Sequence, residues 1–452
     1  MTYALCFLAF GFLISFVLTP KVIRVAQGGI GLDAPNESRK RHNLPIPRLG
    51  GIPIMLAVSL GVIVILIIEP HLISQWGPVL TGSLLMFGLG LWDDLKALGA
   101  RRKLVGQIAI ASLVHFLGLS VDRVTYPGGG WNVELGLIGS YFATVFWLIA
   151  VPNIVNLIDG FDGLAGGLGL FMAMTLGIVG IISKQMGMAW FAFTLAGALL
   201  GFLVFNFPPA RIFLGDGGAY LIGFCIAALS LVGSHKGSIA AVLFVTVVAL
   251  GVPILDTTFA LLRRAVRGFP LFHADEEHFH HKLERFGYSK RRIVLALYGV
   301  CVVLSLIGLS VFWSQGRTLP IGIGAFFILA VCVLRYFHLV TDWRDAHRRV
   351  HRLLLRRSEV RYALLQAQLL DLEVSRCRSA QEFWTLFEST LRRVGFVDHG
   401  EVENTISIEV KHNGTEPWTL HAPADRGRAW EWQRIAECFR PVYVKALARW
   451  DR

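Results

Sequence analysis

Long apolar runs fill most of the first 339 residues and predict helices that span a membrane. A helix needs about 20 apolar residues to cross the hydrocarbon core of a bilayer. Eleven runs approach this length, at residues 3–19, 52–68, 75–92, 104–121, 136–152, 164–183, 188–205, 219–234, 238–262, 294–313 and 319–339. The pattern therefore predicts an all-α polytopic membrane protein with about 11 transmembrane helices.

The basic residues between these runs predict the orientation of the chain. Loops after odd-numbered runs contain 19 Lys and Arg, whereas loops after even-numbered runs contain four. Short loops rich in Lys and Arg stay on the cytoplasmic side of a membrane. We therefore expect the odd-numbered loops and the carboxyl-terminal tail in the cytoplasm. The first run, which Lys21 and Arg24 follow, is expected to be an uncleaved span.

Beyond residue 339 the pattern is that of a small water-soluble module. Ser379 and Glu382 form a capping box for a helix that we expect to end at Gly395. The dipeptide Asn413-Gly414 separates two alternating runs and predicts a hairpin. The predicted parts of the chain are a transmembrane domain (1–339), a basic helix or linker (340–378) and a cytoplasmic α+β domain (379–452), whose strands cover 405–411 and 416–421 and whose last helix covers 427–448.

The basic helix leaves three interpretations open. It can lie on anionic lipid, pair with a second copy of the chain as a homodimer, or stay solvated without a partner. The sequence pattern does not choose between them.

Composition supports a membrane protein and argues against two other classes. The 452 residues are 54% hydrophobic and 16% charged, with a mean hydropathy of +0.58. The net charge of +12 sits largely in loops beside apolar runs, so we expect no nucleic-acid partner. The six cysteines include no CxxC pair, which argues against a zinc site or a disulfide framework.

The polar clusters all fall at loops predicted to face the cytoplasm. Asp93 and Asp94 follow directly on an apolar run. Adjacent carboxylates at a membrane border repel each other and favour a nearby cation, although a solvated helix end is the simpler alternative. Lys103 and Gln107 lie four residues apart on one helix face. Lys103 can bind a phosphate there, or it can be one of the basic residues that only keep this loop in the cytoplasm.

A second cluster lies in the segment NIVNLIDGFDG. At helical spacing Asn153, Asn156 and Asp159 share a face, and Asp162 lies one turn further if the helix continues. Two acids without any Lys or Arg depart from the basic character of most cytoplasmic loops. This combination favours binding of a polar ligand over a purely structural role.

The Gly-Asp-Gly-Gly turn at Asp216 allows two interpretations. Asp216 is a reasonable N-cap for the apolar helix that follows. The turn can also bind phosphate through its backbone N–H groups, with the carboxylate holding a metal ion.

Two further candidates lie later in the chain. His278, His280 and His281 belong to a histidine-rich segment that follows Arg263, Arg264 and Arg267, so anion or sugar binding fits it better than zinc. Asp256 lies inside an apolar run, where an ionisable residue is a functional candidate by default.

The residues above occur in six segments that together resemble the polyprenyl-phosphate N-acetylhexosamine-1-phosphate transferase family, which includes relatives of phospho-MurNAc-pentapeptide translocase. The resemblance covers roughly residues 1–340. It rests on these segments, in this order: GLDAPNESRKRHNLPIPRLGG, LWDD with downstream Lys103, NIVNLIDGFDGLAGG, ARIFLGDGG, PILDTT and HADEEHFHH.

This resemblance implies roles for individual residues. Asp93 and Asp94 are implied to lie beside Mg²⁺ (or Mn²⁺) and the lipid phosphate, with Asp94 and Asp216 as metal ligands. Asp159 and Asp162 are expected to act with Asp93 and Asp94 in catalysis. The expected substrate-binding residues are Lys103, Asn153, Asn156, Arg211, Phe213 (near the uracil), Asp256, His278, His280 and His281.

The implied reaction transfers a HexNAc-1-phosphate, such as GlcNAc-1-phosphate, from a UDP-sugar to undecaprenyl phosphate and releases UMP. It would start a cell-envelope glycan at the cytoplasmic face of a bacterial inner membrane. Two alternatives stay open. One is a phospho-MurNAc-pentapeptide transferase, which the histidine segment disfavours. The other, from a different class, is an ion-coupled carrier, although carriers usually hold their sites near the bilayer midplane.

Overall fold

The computed structural model forms two compact units, and each is described separately. The described residues are 2–27, 32–33, 46–125, 132–234, 288–314, 316–336, 343–398, 405–410, 418–424 and 429–450.

Helices make up nearly all of the first unit. In chain order they are α1 (Thr2–Ala26), α2 (Gly51–Ile68), α3 (Ile73–Leu95), α4 (Ala100–Phe116), α5 (Gly136–Ile158), α6 (Leu164–Ile182), α7 (Met186–Asn206), α8 (Gly215–Ser234), α9 (Lys290–Trp313) and α10 (Leu319–Tyr336). Two short antiparallel pairs accompany them: β1 (Leu32–Asp33) with β2 (Ile46–Pro47), and β3 (Arg123–Thr125) with β4 (Asn132–Glu134).

Most of the predicted spans coincide with helices. Within the described residues, eight helices are long and apolar enough to cross a membrane, namely α1, α2, α3 with the short turn before it, and α5 to α9. Helices α4 and α10 coincide with predicted runs but are not among the eight, and the run at 238–262 lies outside the described residues. The chain is thus a multi-pass membrane protein, while the number of eleven spans stays a prediction.

Helices α7 and α8 form the centre of the first unit because they are apolar on every side. Almost all of α7 is buried, and every residue from Gly217 to Val232 of α8 is buried. A helix without a polar face can be accommodated only when other helices or lipid surround it. Helices α1, α2 and α6 pack on α7, and α3 and α5 pack on α8.

Glycines let α1 and α7 pack backbone against backbone. A β-carbon built on Gly197 would lie 2.0 Å from the Leu8 carbonyl oxygen, and one on Gly11 would lie 2.1 Å from the Thr194 carbonyl oxygen. Small residues at such crossings allow the close approach that stabilises helix pairs in membranes.

The second unit is a small α+β module built on α11 (Trp343–Arg376), α12 (Ala380–Val394), α13 (Ala429–Trp450) and the antiparallel pair β5 (Thr405–Val410) and β6 (Trp418–Pro423). Its core contains side chains from all five elements, including Ala363, Phe387, Ile408, Leu420 and Phe439.

The local predictions for this unit are confirmed. Ser379 Oγ accepts a hydrogen bond from the Glu382 N–H at 3.2 Å, and the Glu382 carboxylate accepts one from the Arg378 N–H. Helix α12 ends at Gly395, whose φ of 112° lies in the left-handed region that glycine tolerates best. The strands and the last helix begin and end within about two residues of the predicted bounds, as expected for element ends.

The contact between α1 and α7 gives a first prediction. Gly197→Ala is expected to lower the midpoint of thermal unfolding, because the new methyl group overlaps the backbone of α1. Gly88→Ala is the matched control, since a β-carbon there meets nothing within 4 Å. Alanine favours a helix over glycine by about 0.5–1 kcal/mol, so the control should unfold at an equal or higher temperature. Equal midpoints for the two variants would contradict the described packing.

Candidate active site

Three helix ends meet where the sequence places its acidic residues. The carboxyl end of α3 carries Asp93 and Asp94, the first turn of α4 carries Lys103, and the first turn of α8 carries Asp216. Helices α3 and α8 approach closely here, because a β-carbon on Gly90 would lie 2.5 Å from the Asp216 carbonyl oxygen. Residues about 120 positions apart in the chain thus become neighbours.

The Asp94 carboxylate caps α8. Its two oxygens accept hydrogen bonds from the N–H groups of Asp216 and Gly217, each at 2.9 Å. The first N–H groups of a helix have no partner within the helix and carry the positive end of its dipole, so a carboxylate is well suited to them. The idea that Asp216 caps its own helix is therefore wrong. These two N–H groups are also taken, which removes them as a phosphate site.

Lys103 joins the two other carboxylates. Its ammonium group donates to Asp93 Oδ2 at 2.9 Å and to Asp216 Oδ2 at 3.0 Å. The other oxygen of Asp93 accepts from the Leu98 N–H at 2.8 Å, which ties the turn after α3 to the carboxylate. All three side chains are at most a quarter exposed, so solvent weakens this ion pair less than it would at an open surface.

Polar residues of α5 continue the site toward α4 and α8. Asn153 donates to Gln107 Oε1 at 2.8 Å, and Gln107 is almost fully buried. The side chain of Asn156 lies beside Tyr220, which follows Asp216 by one turn of α8. Asn153 and Asn156 thus both lie within α5, whereas Asp159, the third residue of the predicted face, follows the end of this helix.

Asp159 and Asp162 lie in the turn after α5. The helix ends at Ile158, so the condition for placing Asp162 one helical turn further is not met. Burial raises the pKa of Asp159 well above its ordinary value, and the charges of Asp216 and Asp94 add to this effect. The positive charge of Arg48 lowers the pKa of Asp159 in part. Asp159 therefore belongs to the same electrostatic group as the carboxylates on α3 and α8.

Asp162 contacts the loop between α7 and α8. Its Oδ2 accepts from the Ala210 N–H at 3.3 Å. In the same loop, the guanidinium of Arg211 lies over the Phe205 ring, 5.2 Å from its centroid.

The segment before α2 is attached to the segment before α8. Phe213 exchanges backbone hydrogen bonds with Pro47 and Gly50, at 2.8 and 2.9 Å. Gly215 has a φ of 76°, and a β-carbon on it would lie 2.2 Å from the Arg48 carbonyl oxygen and 2.7 Å from Asp94 Oδ2. Only glycine fits this position without displacing the backbone that carries Asp216.

The sequence patterns did not single out three polar residues of this region. Asn206, at the end of α7, accepts from the Gly163 N–H at 3.0 Å and donates to the Ile212 carbonyl oxygen at 2.8 Å. Tyr298 of α9 donates to the Gly163 carbonyl oxygen at 2.5 Å. Tyr220 lies beside Asn156, as described above. A single Asn or Tyr at the end of an apolar run carries no distinctive spacing, so no local signal identifies them.

The remaining candidates cannot be located. Asp256, His278, His280 and His281 lie outside the described residues, so their roles stay predictions.

The carboxylates provide oxygen donors of the kind that Mg²⁺ and Mn²⁺ prefer. Among the described residues, no group of three His, Cys, Asp or Glu side chains is arranged to hold a metal ion. The donor chemistry nevertheless fits a dication. Asp93, Asp94 and Asp216 carry one more negative charge than Lys103 and Arg48 together offset, and Asp159 lies beside them.

Comparisons with known proteins give the family of this chain. The family model described as glycosyl transferase family 4 matches residues 76–234, which include most of α3 and the whole of α4 to α8. A protein of Bacillus subtilis (strain 168), named probable undecaprenyl-phosphate N-acetylglucosaminyl 1-phosphate transferase, is 33% identical over 315 residues, which cover 70% of this chain and 86% of the relative. This chain therefore belongs to glycosyl transferase family 4.

Two further relatives differ from each other in the activities that their names give. A decaprenyl-phosphate N-acetylglucosaminephosphotransferase of Mycobacterium tuberculosis (strain ATCC 25618 / H37Rv) is 34% identical over 342 residues, covering 69% of this chain and 84% of the relative. A phospho-N-acetylmuramoyl-pentapeptide-transferase of Levilactobacillus brevis is 30% identical over 328 residues, covering 68% of this chain and 97% of the relative.

The capping contact predicts that Asp94→Asn destabilises the first unit. An amide offers one oxygen, and its NH₂ group would face a backbone N–H, so one of the two bonds is lost. Loss of a cap costs about 0.5–2 kcal/mol, and the thermal midpoint should fall accordingly. The matched control is Glu134→Gln, whose side chain is largely exposed in β4 and should change nothing. An Asp94→Asn variant as stable as the native chain would rule out the capping role.

Asn206 gives a second prediction from this region. Asn206→Leu has a similar volume but leaves the Gly163 N–H and the Ile212 carbonyl without their partner. Each unsatisfied buried group costs about 1–3 kcal/mol, so the free energy of unfolding should fall clearly. Tyr298→Phe removes only one hydroxyl bond and should have a smaller effect. Thermal unfolding of the three purified proteins tests this order, and a larger loss for Tyr298→Phe would contradict it.

Proposed function

We propose that this chain transfers a HexNAc-1-phosphate, most simply GlcNAc-1-phosphate, from a UDP-sugar to undecaprenyl or another polyprenyl phosphate and releases UMP. The relatives from B. subtilis and M. tuberculosis carry names that describe this reaction. The observation that carries the proposal is the group of carboxylates around Lys103, formed by α3, α4 and α8 within the matched family region.

The reaction needs an acceptor phosphate oxygen to attack the β-phosphorus of the UDP-sugar. A new oxygen–phosphorus bond forms while the bond from that phosphorus to the oxygen bridging the α-phosphate breaks, and UMP leaves with the electron pair. A phosphate monoester has a second pKa of about 6, so the acceptor is mostly dianionic at neutral pH. Positioning and charge compensation are therefore more important than removal of a proton from the nucleophile.

Repulsion between the two anionic substrates is the main obstacle. In the proposal, Asp216 and Asp94, with Asp93 beside them, would hold Mg²⁺ or Mn²⁺. When bound, the cation supplies positive charge that offsets the developing charge of the transferred phosphoryl group. Lys103 donates hydrogen bonds to Asp93 and Asp216. In the proposal, its ammonium group therefore lies beside the cation and can contact the substrate phosphates.

The turn after α5 is proposed to receive the nucleotide sugar. Asn156, Asp159 and Asp162 present polar groups there, and Phe213 is expected to pack near the uracil. Burial, together with the negative charges of Asp216 and Asp94, raises the pKa of Asp159 above its ordinary value. His278, His280, His281 and Asp256 are expected to complete the site.

The inner-membrane location and the cytoplasmic orientation are also proposals. They rest on the excess of Lys and Arg in the odd-numbered loops. A cytoplasmic site would have direct access to soluble UDP-sugars. The alternative of an ion-coupled carrier has little support, because the described acids lie at helix ends and the family is one of glycosyl transferases.

The direct test measures UMP release by purified full-length protein given undecaprenyl phosphate, Mg²⁺ and UDP-GlcNAc. We expect release that depends on both the lipid and the cation. Asp216→Asn should abolish turnover, because the neutral amide cannot replace the carboxylate toward Lys103 and the cation. One of Asp93→Asn and Asp94→Asn should keep measurable activity. Glu134→Gln is the control that should retain full turnover.

Three outcomes would count against the proposal. Near-native turnover of Asp216→Asn at saturating Mg²⁺ would refute the metal assignment. Turnover with UDP-MurNAc-pentapeptide but not with UDP-GlcNAc would mean that the donor is that of a phospho-MurNAc-pentapeptide transferase and not the one proposed here. Absence of UMP release with every donor in a panel would refute the transferase activity itself.

A further inference from the structure

The turn between α5 and α6 carries Asp159 and Asp162 and ends at Gly163, which side chains from two other helices hold. The turn belongs to neither helix. Asn206 of α7 accepts from the Gly163 N–H at 3.0 Å, and the Tyr298 hydroxyl of α9 donates to the Gly163 carbonyl oxygen at 2.5 Å. The geometry of the turn therefore depends on α7 and α9 as well as on the helices that it joins.

These two contacts fix both backbone dihedrals of Gly163. Its N–H belongs to the planar peptide unit before the glycine, and its carbonyl belongs to the planar unit after it. Glycine lacks a β-carbon and adopts many combinations of φ and ψ, so its own preference does not hold the φ of 76° found here. Holding both planes sets the direction in which the chain passes from Asp162 into α6.

The Tyr298 hydroxyl is not required to satisfy the Gly163 carbonyl. The same oxygen accepts from the Gly167 N–H at 3.0 Å, inside α6. A carbonyl oxygen has two lone pairs and can accept both bonds. Removal of the hydroxyl thus leaves no buried acceptor without a partner, and the cost in stability stays small. What is lost is the bond that attaches Gly163 to α9.

The ring of Tyr298 is packed where it can form this bond. A β-carbon on Gly167 would lie 2.0 Å from both Cζ and Oη of Tyr298, so the ring fills the space that this glycine leaves. The rings of Tyr298 and Phe171 pack edge to face, with their centroids 5.3 Å apart. Both rings pack against an apolar cluster whose buried members include Leu168 and Val294. A phenylalanine in place of Tyr298 would keep these contacts and lose only the hydroxyl.

The beginning of α9 contacts the same region. The Lys290 ammonium group lies over the Phe161 ring, 5.7 Å from its centroid, and the Arg291 guanidinium lies over the Phe207 ring, 5.4 Å from its centroid. Phe161 is part of the turn, and Phe207 follows α7. Lys290 and Tyr298 are about 12 Å apart along α9, at 1.5 Å per residue. The helix thus supports the turn over more than one of its own turns.

We propose that Tyr298 is a positioning residue of the transferase site, which holds the Asp159–Asp162 turn ready for the nucleotide sugar through its bond to Gly163. This role rests on the proposed function, which places the UDP-sugar at this turn. Without the hydroxyl, part of the binding energy of the donor must order Gly163 and the acids before it. Binding of the donor therefore weakens, while the bound complex reacts at nearly the native rate.

Steady-state kinetics of the purified full-length Tyr298→Phe variant test this role. The KM for UDP-GlcNAc should rise roughly three- to tenfold, as expected for loss of one neutral hydrogen bond, with kcat nearly unchanged. The KM for undecaprenyl phosphate should not change, because its proposed partners Asp93 and Lys103 have their own contacts. A purely structural hydroxyl would instead lower kcat through loss of folded enzyme, with every KM unchanged.

Tyr141→Phe is the matched control for this variant. It removes a hydroxyl that is hydrogen-bonded to Ser112 Oγ at 2.9 Å in the first half of α5. The chemical change is the same, but the bond lies away from the turn. Both KM values should therefore stay at their native levels.

Titration with UDP in the presence of Mg²⁺ provides a readout that needs no turnover. The dissociation constant of UDP should rise in Tyr298→Phe by a factor similar to that of the UDP-GlcNAc KM. Tyr141→Phe should bind UDP as the native chain does.

Gly167→Ala provides an independent arm. Its methyl group displaces the Tyr298 ring without changing a polar side chain, so the KM for UDP-GlcNAc should again rise. Because both substitutions break the same bond, the double variant with Tyr298→Phe should bind the donor no more weakly than the weaker single variant. Gly299→Ala, beside Tyr298 on α9, is the control, since a β-carbon there meets nothing within 4 Å.

The outcomes separate this role from the proposed function. If the native chain binds UDP but releases no UMP with any donor, the transferase activity is refuted, and the UDP titration still decides whether Tyr298 positions a nucleotide site. A native chain that neither binds UDP nor releases UMP would overturn both proposals.

Three results with an active native chain would overturn the positioning role alone. The first is an unchanged UDP-GlcNAc KM and UDP affinity in Tyr298→Phe. The second is an equal rise of the KM for undecaprenyl phosphate, or equal effects of Tyr298→Phe and Tyr141→Phe, which would mean a general loosening of the helices. The third is a double variant with Gly167→Ala whose effect is the product of the two single effects.

Discussion

The acidic site depends on one contact, in which the Asp94 carboxylate holds the first backbone N–H groups of α8. This contact joins the carboxyl end of α3 to the amino end of α8 and determines where Asp216 projects. The glycines at positions 90 and 215 allow the two backbones to come close enough for it. The hydrophobic effect is non-directional, so this polar contact adds a fixed attachment between the two helix ends to the packing of their apolar side chains.

Charge balance is the second constraint on this region. Asp93, Asp216 and Asp159 lie near one another, with Lys103 and Arg48 as the nearby positive charges. Burial makes the ionised forms unfavourable, and the raised pKa of Asp159 expresses that conflict. Among the described residues, the carboxylates of this group outnumber the basic side chains beside them, which is the charge balance that the proposed dication would need.

The two units differ in how they relate to known proteins. The family model covers residues 76–234 and thus every described acid of the site. The second unit has its own core of aromatic and aliphatic side chains, in which Trp418 stacks on Tyr443 at 4.6 Å between ring centroids.

Some features of this protein follow from the sequence alone. Apolar runs of sufficient length predict membrane helices whatever their neighbours are. The Ser379–Glu382 capping box and the strands on either side of Asn413-Gly414 depend on residues close together in the chain. The Asp93-Asp94 pair was recognisable because two charges beside an apolar run are costly without a partner.

Other features were decided only by the tertiary structure. No local pattern indicates that the two oxygens of Asp94 accept hydrogen bonds from backbone N–H groups more than 120 residues away. The sequence does not predict the roles of Asn206 and Tyr298, because their partner Gly163 is 43 and 135 residues away in the chain. Local sequence patterns predict whether a segment is exposed to water or lipid and which hydrogen bonds it forms with its own backbone. Which hydrogen-bonding groups face each other across a bundle depends on how the helices pack, and that depends on the whole chain.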